Sequence, residues 1–172
     1  ISRFFVPMLS GQGWARQSNG WAIFLDCDVI VRGNLARMFE QLDDRFAVYC
    51  VKHDYVPHSG WKMDAQEQTS YPRKNWSSVM AFNCDHPSNR ALTLEMLNSW
   101  PGRRLHGLEW LTDDEIGELA PEWNWLVGEQ PEPEGGAKIV HYTLGGPWLT
   151  AETFQRAPYA DEWWRYLKQW AL

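Results

Sequence analysis

The chain has 172 residues, enough for a domain with a real core. It carries 16 Lys and Arg against 22 Asp and Glu, a formal net charge of -6, which argues against a general nucleic-acid binder with a basic face. No apolar run approaches the length of a membrane span, so no transmembrane segment is expected.

The abrupt start at Ile1, without methionine or a basic and apolar leader, reads as that of a fragment or trimmed chain. Cys27, Cys50 and Cys84 form no Cys-x-x-Cys unit, and their odd count suits reduced thiols better than a disulfide framework or a zinc knuckle. The expected location is therefore the cytoplasm, at most peripheral at the inner membrane face. Tryptophan is abundant at 12 residues. Most of these rings are expected in the core, and some are suited to stacking on a sugar.

In chain order, Ser2 to Leu9 reads as a short helix or turn broken by Pro7. Gly11 to Gly20 is a polar loop, and Trp21 to Leu25 a buried strand with Asp26-Cys27-Asp28 at or near its end. Asn34 caps a helix over Leu35 to Leu42, with Leu35, Met38, Phe39 and Leu42 as its apolar face. Phe46 to Val51 is a strand, Lys52 to Asn75 a long polar loop, and Ser77 to Asn83 another strand.

Pro87 opens a helix through Trp100, with Ala91, Leu94 and Leu97 spaced for burial. Thr112 to Glu115 is a capping box for a brief helix. Strands follow at Trp123 to Val127 and Ala137 to His141, separated by a Gln130 to Gly136 turn. From Asp161 a helix carries Trp163, Tyr166, Leu167 and Trp170 as one stripe, expected to pack on the domain rather than on a membrane. Strands alternating with helices indicate an α/β layered fold.

In a strand, residues i and i+2 share a side, so Asp26 and Asp28 can converge while Cys27 points away. Two carboxylates that close repel, and a hard divalent cation is the simplest neutraliser. A solvated acidic strand end is the alternative. His141 also ends an apolar strand, and an imidazole added to two carboxylates suits manganese or a similar ion, whereas a satisfied core histidine is the bland reading. Gly145-Gly146 follow, a pair whose backbone N–H groups can approach a phosphate.

SRFFVPML, WAIFLDCDVIV, NWSSVMAFN and HYTLGGPW, in that order, resemble the family 8 retaining glycosyltransferases, relatives of glycogenin and of bacterial lipopolysaccharide galactosyltransferases. The resemblance implies an α/β fold of GT-A type, a mixed sheet flanked by helices, amino-terminally truncated. Residues 1–172 would form a single domain, the metal, donor and acceptor portion without the nucleoside-binding unit. It implies transfer of a hexose from a nucleotide diphosphosugar, in the first place a UDP-sugar, to a glycan or other acceptor with retention. Asp26, Asp28 and His141 would hold Mn²⁺ or Mg²⁺ against the donor diphosphate. Arg3 would lie near the donor sugar and phosphates and complete a catalytic set with Asp26 and Asp28. Asn75, Ser77 and Ser78 would line the donor and acceptor pocket, and Gly145 and Gly146 would sit against the pyrophosphate.

The family's late motif has a Lys before Pro-Trp where Gly146 stands, leaving Lys52, Lys62 or Lys74 to supply that contact. Asp113 and Asp114 occupy the region of the family's Asp-Gln-Asp and either face the acceptor or cap a helix. His53, His58 and His106 read as surface residues. Two alternatives remain. One is a haloacid dehalogenase-type phosphohydrolase with Asp26 as nucleophile. The other is a non-catalytic carbohydrate-binding or degenerate transferase domain.

Overall fold

The computed structural model describes residues 1–9, 20–54, 61–62, 66–67 and 73–170. The strands are β1 (Trp21–Leu25), β2 (Val29–Val31), β3 (Val48–Cys50), β4 (Trp61–Lys62), β5 (Gln66–Glu67), β6 (Val79–Asn83), β7 (Ile116–Glu118), β8 (Trp125–Leu126) and β9 (Ile139–His141). The α-helices are α1 (Val6–Leu9), α2 (Ala36–Phe39), α3 (Pro87–Arg90), α4 (Leu94–Ser99), α5 (Gly102–His106), α6 (Glu152–Gln155) and α7 (Ala160–Trp170). They divide into two compact units: residues 1–26, 34–54 and 73–121 in one, and 27–33, 61–62, 66–67 and 122–170 in the other, within the described parts. Of the loops expected at Gly11 to Gly20 and Lys52 to Asn75, residues 11–19, 55–60, 63–65 and 68–72 lie outside the described residues.

The first unit is built on a mixed sheet in the order β1-β6-β3-β7. β6 pairs antiparallel with β1 and with β3, and β3 pairs parallel with β7. All five residues of β6 are buried, so this central strand is apolar without alternation. Met80 and Phe82 join Phe4, Val48, Leu92, Leu97, Leu105 and Ile116 in the unit's core. At the amino-terminal end, a 3₁₀ turn over Ser2–Phe5 runs into α1. Pro7 stands in the first turn of α1, where its missing N–H leaves no ladder bond unmade, and so does not break it.

The single helix expected from Pro87 to Trp100 is two helices. The Thr93 hydroxyl accepts from Met96 N–H (3.2 Å) and starts α4 as its cap. That break turns Leu92 inward, only 1% exposed, and leaves Leu94 53% exposed, opposite to the unbroken-helix expectation. The helix expected over Leu35 to Leu42 shortens to α2, with Asn34 Oδ1 accepting from Ala36 N–H (3.0 Å) and Met38 as its buried residue.

The second unit holds a sheet in the order β2-β9-β8, antiparallel then parallel, and a short hairpin of β4 and β5. Its core gathers Ile30, Trp125, Val140 and Tyr142. The Tyr142 ring stands edge-on to Trp148 (5.9 Å) and Trp163 (5.7 Å), and its hydroxyl donates to Pro158 O (2.7 Å). Trp163 is thus how α7 docks. The rest of the stripe does not pack as expected, since Tyr166, Leu167 and Trp170 are exposed, Trp170 at 90%.

Candidate functional site

In WAIFLDCDVIV the strand expected over Trp21 to Leu25 is β1, and a second strand, β2, follows Asp26-Cys27-Asp28 in another sheet. β1 ends at Leu25, paired with Val79, and Asp26 N–H extends the ladder by donating to Ser78 O (2.9 Å). β2 begins at Val29, paired with His141, and Asp28 O accepts from Tyr142 N–H (3.0 Å). Residues 27 and 28 form a bend. The same-face argument for a continuous strand therefore does not apply. The two carboxylates stand at the end of one strand and the start of another, and the single residue between them keeps their α-carbons within about 7 Å. Cys27, on the bend, is exposed, while Cys50 and Cys84 are buried; all three are free thiols.

In the first unit Asp26 is held by Arg3. The guanidinium donates from Nη2 to Asp26 Oδ1 (2.6 Å), and from Nη1 to Ser77 O (2.5 Å) and Ser77 Oγ (3.3 Å). It also lies over the Phe24 ring, 4.8 Å from its centroid. The ion pair is largely enclosed, with side-chain exposures of 16% and 24%. Arg3 reaches it because the Ser2–Phe5 turn buries Phe4 and leaves Arg3 facing β1 and the 3₁₀ turn Trp76–Ser78.

Asn75 precedes that 3₁₀ turn in the left-handed conformation (φ 62°), and its carbonyl accepts from the Ser78 hydroxyl (2.7 Å). Ser77 and Ser78 are buried, so Ser78 serves as a turn lock, while Ser77 joins Arg3. His106 comes as a correction to its surface reading. It is half-buried at the end of α5, its Nδ1 2.8 Å from Ser77 Oγ. Burial and, next, the charge of Arg3 pull its pKa down to about 4. His53 is also buried, its carbonyl accepting from Trp76 Nε1 (3.0 Å). His58 and the side chain of Lys62 lie outside the described residues.

Asp113 pairs with Arg73 (2.5 Å), a residue that also donates to the carbonyls of Gly107 and Leu108. Asp113 and Asp114 open the short 3₁₀ turn Asp113–Glu115, where Glu115 Oε2 accepts from Thr112 N–H (2.8 Å). The capping box read over Thr112 to Glu115 is therefore in place, made by Thr112 and Glu115 rather than by the carboxylates of Asp113 and Asp114.

In the second unit His141, 3% exposed, is fixed by two contacts. Its Nδ1 lies 3.1 Å from Asn124 Oδ1, and its Nε2 lies 3.4 Å from Asp28 Oδ1. An amide oxygen only accepts, so Nδ1 carries the hydrogen and donates it. Nε2 then faces the carboxylate oxygen. A nitrogen and a carboxylate oxygen at that spacing are bridged by a proton or a cation. Asn124, fully buried, went unread in the sequence, because the only signal was one Asn before an apolar pair.

The glycine pair is shaped by packing. Gly145 has φ +131° and its N–H donates to Tyr142 O (2.9 Å), so that N–H is engaged in the turn after β9. A Cβ at Gly146 would fall 2.1 Å from the Trp148 ring.

No established family profile matches the chain. The solved structures it resembles are glycosyltransferases. GlyE of Streptococcus pneumoniae aligns over 96% of this chain and 42% of its own with a TM-score of 0.57 and 18% identity. The galactosyltransferase LgtC, solved with donor and acceptor sugar analogs, aligns over 98% of this chain and 66% of its own (TM-score 0.58, 13% identity). The bifunctional glycosyltransferase WbbM aligns over 95% and 36% (TM-score 0.56, 16% identity).

The fold is accordingly α/β of GT-A glycosyltransferase type, with mixed sheets flanked by helices. A haloacid dehalogenase-type phosphohydrolase would have a different one, and that alternative is set aside. In sequence the chain is 40% identical to Protein CDI of Arabidopsis thaliana over 174 residues, which is 99% of this chain and 64% of that protein. The chain thus spans under two thirds of that relative. Among the described residues no helix is long and apolar enough to cross a membrane.

Proposed function

We infer that this chain is the catalytic region of a metal-dependent glycosyltransferase. It moves a hexose from a nucleotide diphosphosugar, in the first place a UDP-sugar, to a glycan or other acceptor with retention. The observation that carries this reading is His141 Nε2 lying 3.4 Å from Asp28 Oδ1, with Asn124 Oδ1 3.1 Å from Nδ1 behind the ring. The GT-A-type fold supports it.

Asp28 and His141 offer a carboxylate and an imidazole fit for Mn²⁺ or Mg²⁺, and Asp26, two residues from Asp28 in the chain, is assigned as the third ligand. When bound, such a cation stabilises the charge that develops on the departing diphosphate. The chain's own groups orient the set. Asn124 fixes the His141 tautomer, and Arg3 holds Asp26 through Oδ1 and contributes a cation beside the donor phosphates. Ser77 and Asn75 belong to the pocket wall next to Arg3, and Gly146 supplies the backbone facing the pyrophosphate. Asp113 and Asp114 are assigned to the acceptor side.

Calorimetric titration of Mn²⁺, followed by UDP, tests this reading, with Asp28→Asn and His141→Ala beside the wild type. Binding of UDP only after Mn²⁺, lost in both variants, is the expected result. Wild-type chain that takes up no Mn²⁺ would overturn the metal site. Mn²⁺ binding without UDP would keep the metal site and show that residues 1–172 do not hold the nucleoside by themselves.

A further inference from the structure

The Arg3 side chain bridges Asp26 to the Trp76–Ser78 turn, and its position depends on Ser77. Behind Ser77 stands a third partner that neither the motifs nor the metal donor set includes. We propose that His106 is a positioning residue, which through the Ser77 hydroxyl fixes the guanidinium that holds Asp26.

The order of the contacts carries the argument. Ser77 Oγ lies 3.3 Å from Arg3 Nη1, which can only donate, and 2.8 Å from His106 Nδ1. A hydroxyl whose oxygen accepts from a cation is a stronger donor, so its hydrogen goes to Nδ1. His106 is then neutral with hydrogen on Nε2. Desolvation and the nearby Arg3 charge keep it from taking a second proton. Phe4 closes the imidazole from one side, edge-on at 5.3 Å, and Ser77 is 2% exposed, so water cannot readily replace the acceptor.

Both ends of Ser77 therefore anchor one guanidinium nitrogen, through carbonyl and hydroxyl, leaving Nη2 aimed at Asp26 Oδ1. Arg3 and Ser77 are 74 residues apart in the chain, and Ser77 and His106 are 29 apart, so the relay joins three separate segments. Its consequence is a fixed Asp26 carboxylate, and for cation binding the inference rests on the metal reading above.

Two measurements test it, one free of the metal. Long-range ¹⁵N NMR on the histidine rings should show His106 neutral at pH 7, with Nδ1 unprotonated and its resonance moved by Ser77→Ala. A hydrogen on Nδ1, or a signal indifferent to Ser77→Ala, overturns the relay whatever the metal does. Second, Mn²⁺ affinity measured by calorimetry should fall about 3- to 10-fold in His106→Leu, less than for a direct partner of a ligand. His106→Asn, whose amide oxygen takes the place of Nδ1, should restore it to within about twofold. Ser77→Ala should match His106→Leu, and the double variant should add nothing further.

Additive losses, or no rescue by Asn in a folded protein checked by circular dichroism, count against positioning. If the wild type binds no Mn²⁺, the metal reading fails and the NMR measurement alone decides the relay.

Discussion

His141 presents Nε2 3.4 Å from Oδ1 of Asp28, an approach set by the neighbouring pairing of Val29 with His141 across β2 and β9. The Asn124 amide oxygen, 3.1 Å from Nδ1, decides which ring nitrogen faces the carboxylate. An imidazole held this way is arranged as a metal ligand is, with one nitrogen outward and the other hydrogen-bonded behind.

Asn124→Ala should accordingly weaken Mn²⁺ binding about 10- to 100-fold. It also strands the Nδ1–H of a buried ring, at a cost of about 1–3 kcal/mol in stability. Urea denaturation beside the metal titration reads both effects. Affinity unchanged in the folded variant would show that Asn124 does not set the tautomer.

Arg3→Lys should behave nearly as Arg3→Ala in cation binding, although charge is conserved. A single ammonium cannot reproduce the two guanidinium nitrogens that reach Ser77 and Asp26. Loss of this largely enclosed pair should also cost about 1–3 kcal/mol, discounted from a fully buried pair for its partial exposure. Chemical denaturation of both variants against wild type checks the stability half.

Gly146→Ala should destabilise by about 1–3 kcal/mol through overpacking. The new methyl would sit 2.1 Å from the Trp148 ring, which is confined by Tyr142 at 5.9 Å and Trp163 at 4.6 Å. A lowered Tm, with near-ultraviolet circular dichroism showing the tryptophan cluster disturbed, is the expected result.

Stability should fall as the solution is acidified from about 6.5 towards 4, through His106 among other groups. The unfolded chain takes a proton on this ring near the ordinary value of 6.5, whereas the folded chain resists until about 4. Protonation therefore favours the unfolded state in that window and is without effect above it. The ceiling for such a shift is about 3 kcal/mol, reduced to about 1–2 by solvent around a half-buried group. Urea midpoints at pH 7.5 and pH 4.5 should differ less in His106→Asn than in wild type.

Local pattern was enough to find the strand at Trp21–Leu25, the strand expected from Ser77 that begins at Val79 after a 3₁₀ turn, the cap at Asn34 and the capping box at Thr112, since apolar runs and caps act within a few residues. The motif order over Arg3, Asp26, Asp28, Ser77 and His141 likewise pointed to a GT-A-type fold before any geometry was known. What pattern could not decide was where the apolar run through Asp26 and Asp28 changes sheets, because β1 and β2 look alike in sequence and differ only in partners, β6 and β9. Nor could it show that Thr93 interrupts the helix expected from Pro87 to Trp100, where a cap competes with continued periodicity.

The supporting contacts were least legible of all. Asn124 behind His141 and His106 behind Ser77 carry no periodicity, and each meets its partner across 17 and 29 residues of chain. Such hydrogen bonds exist only once the topology has closed the loops between them, so tertiary structure alone selects them.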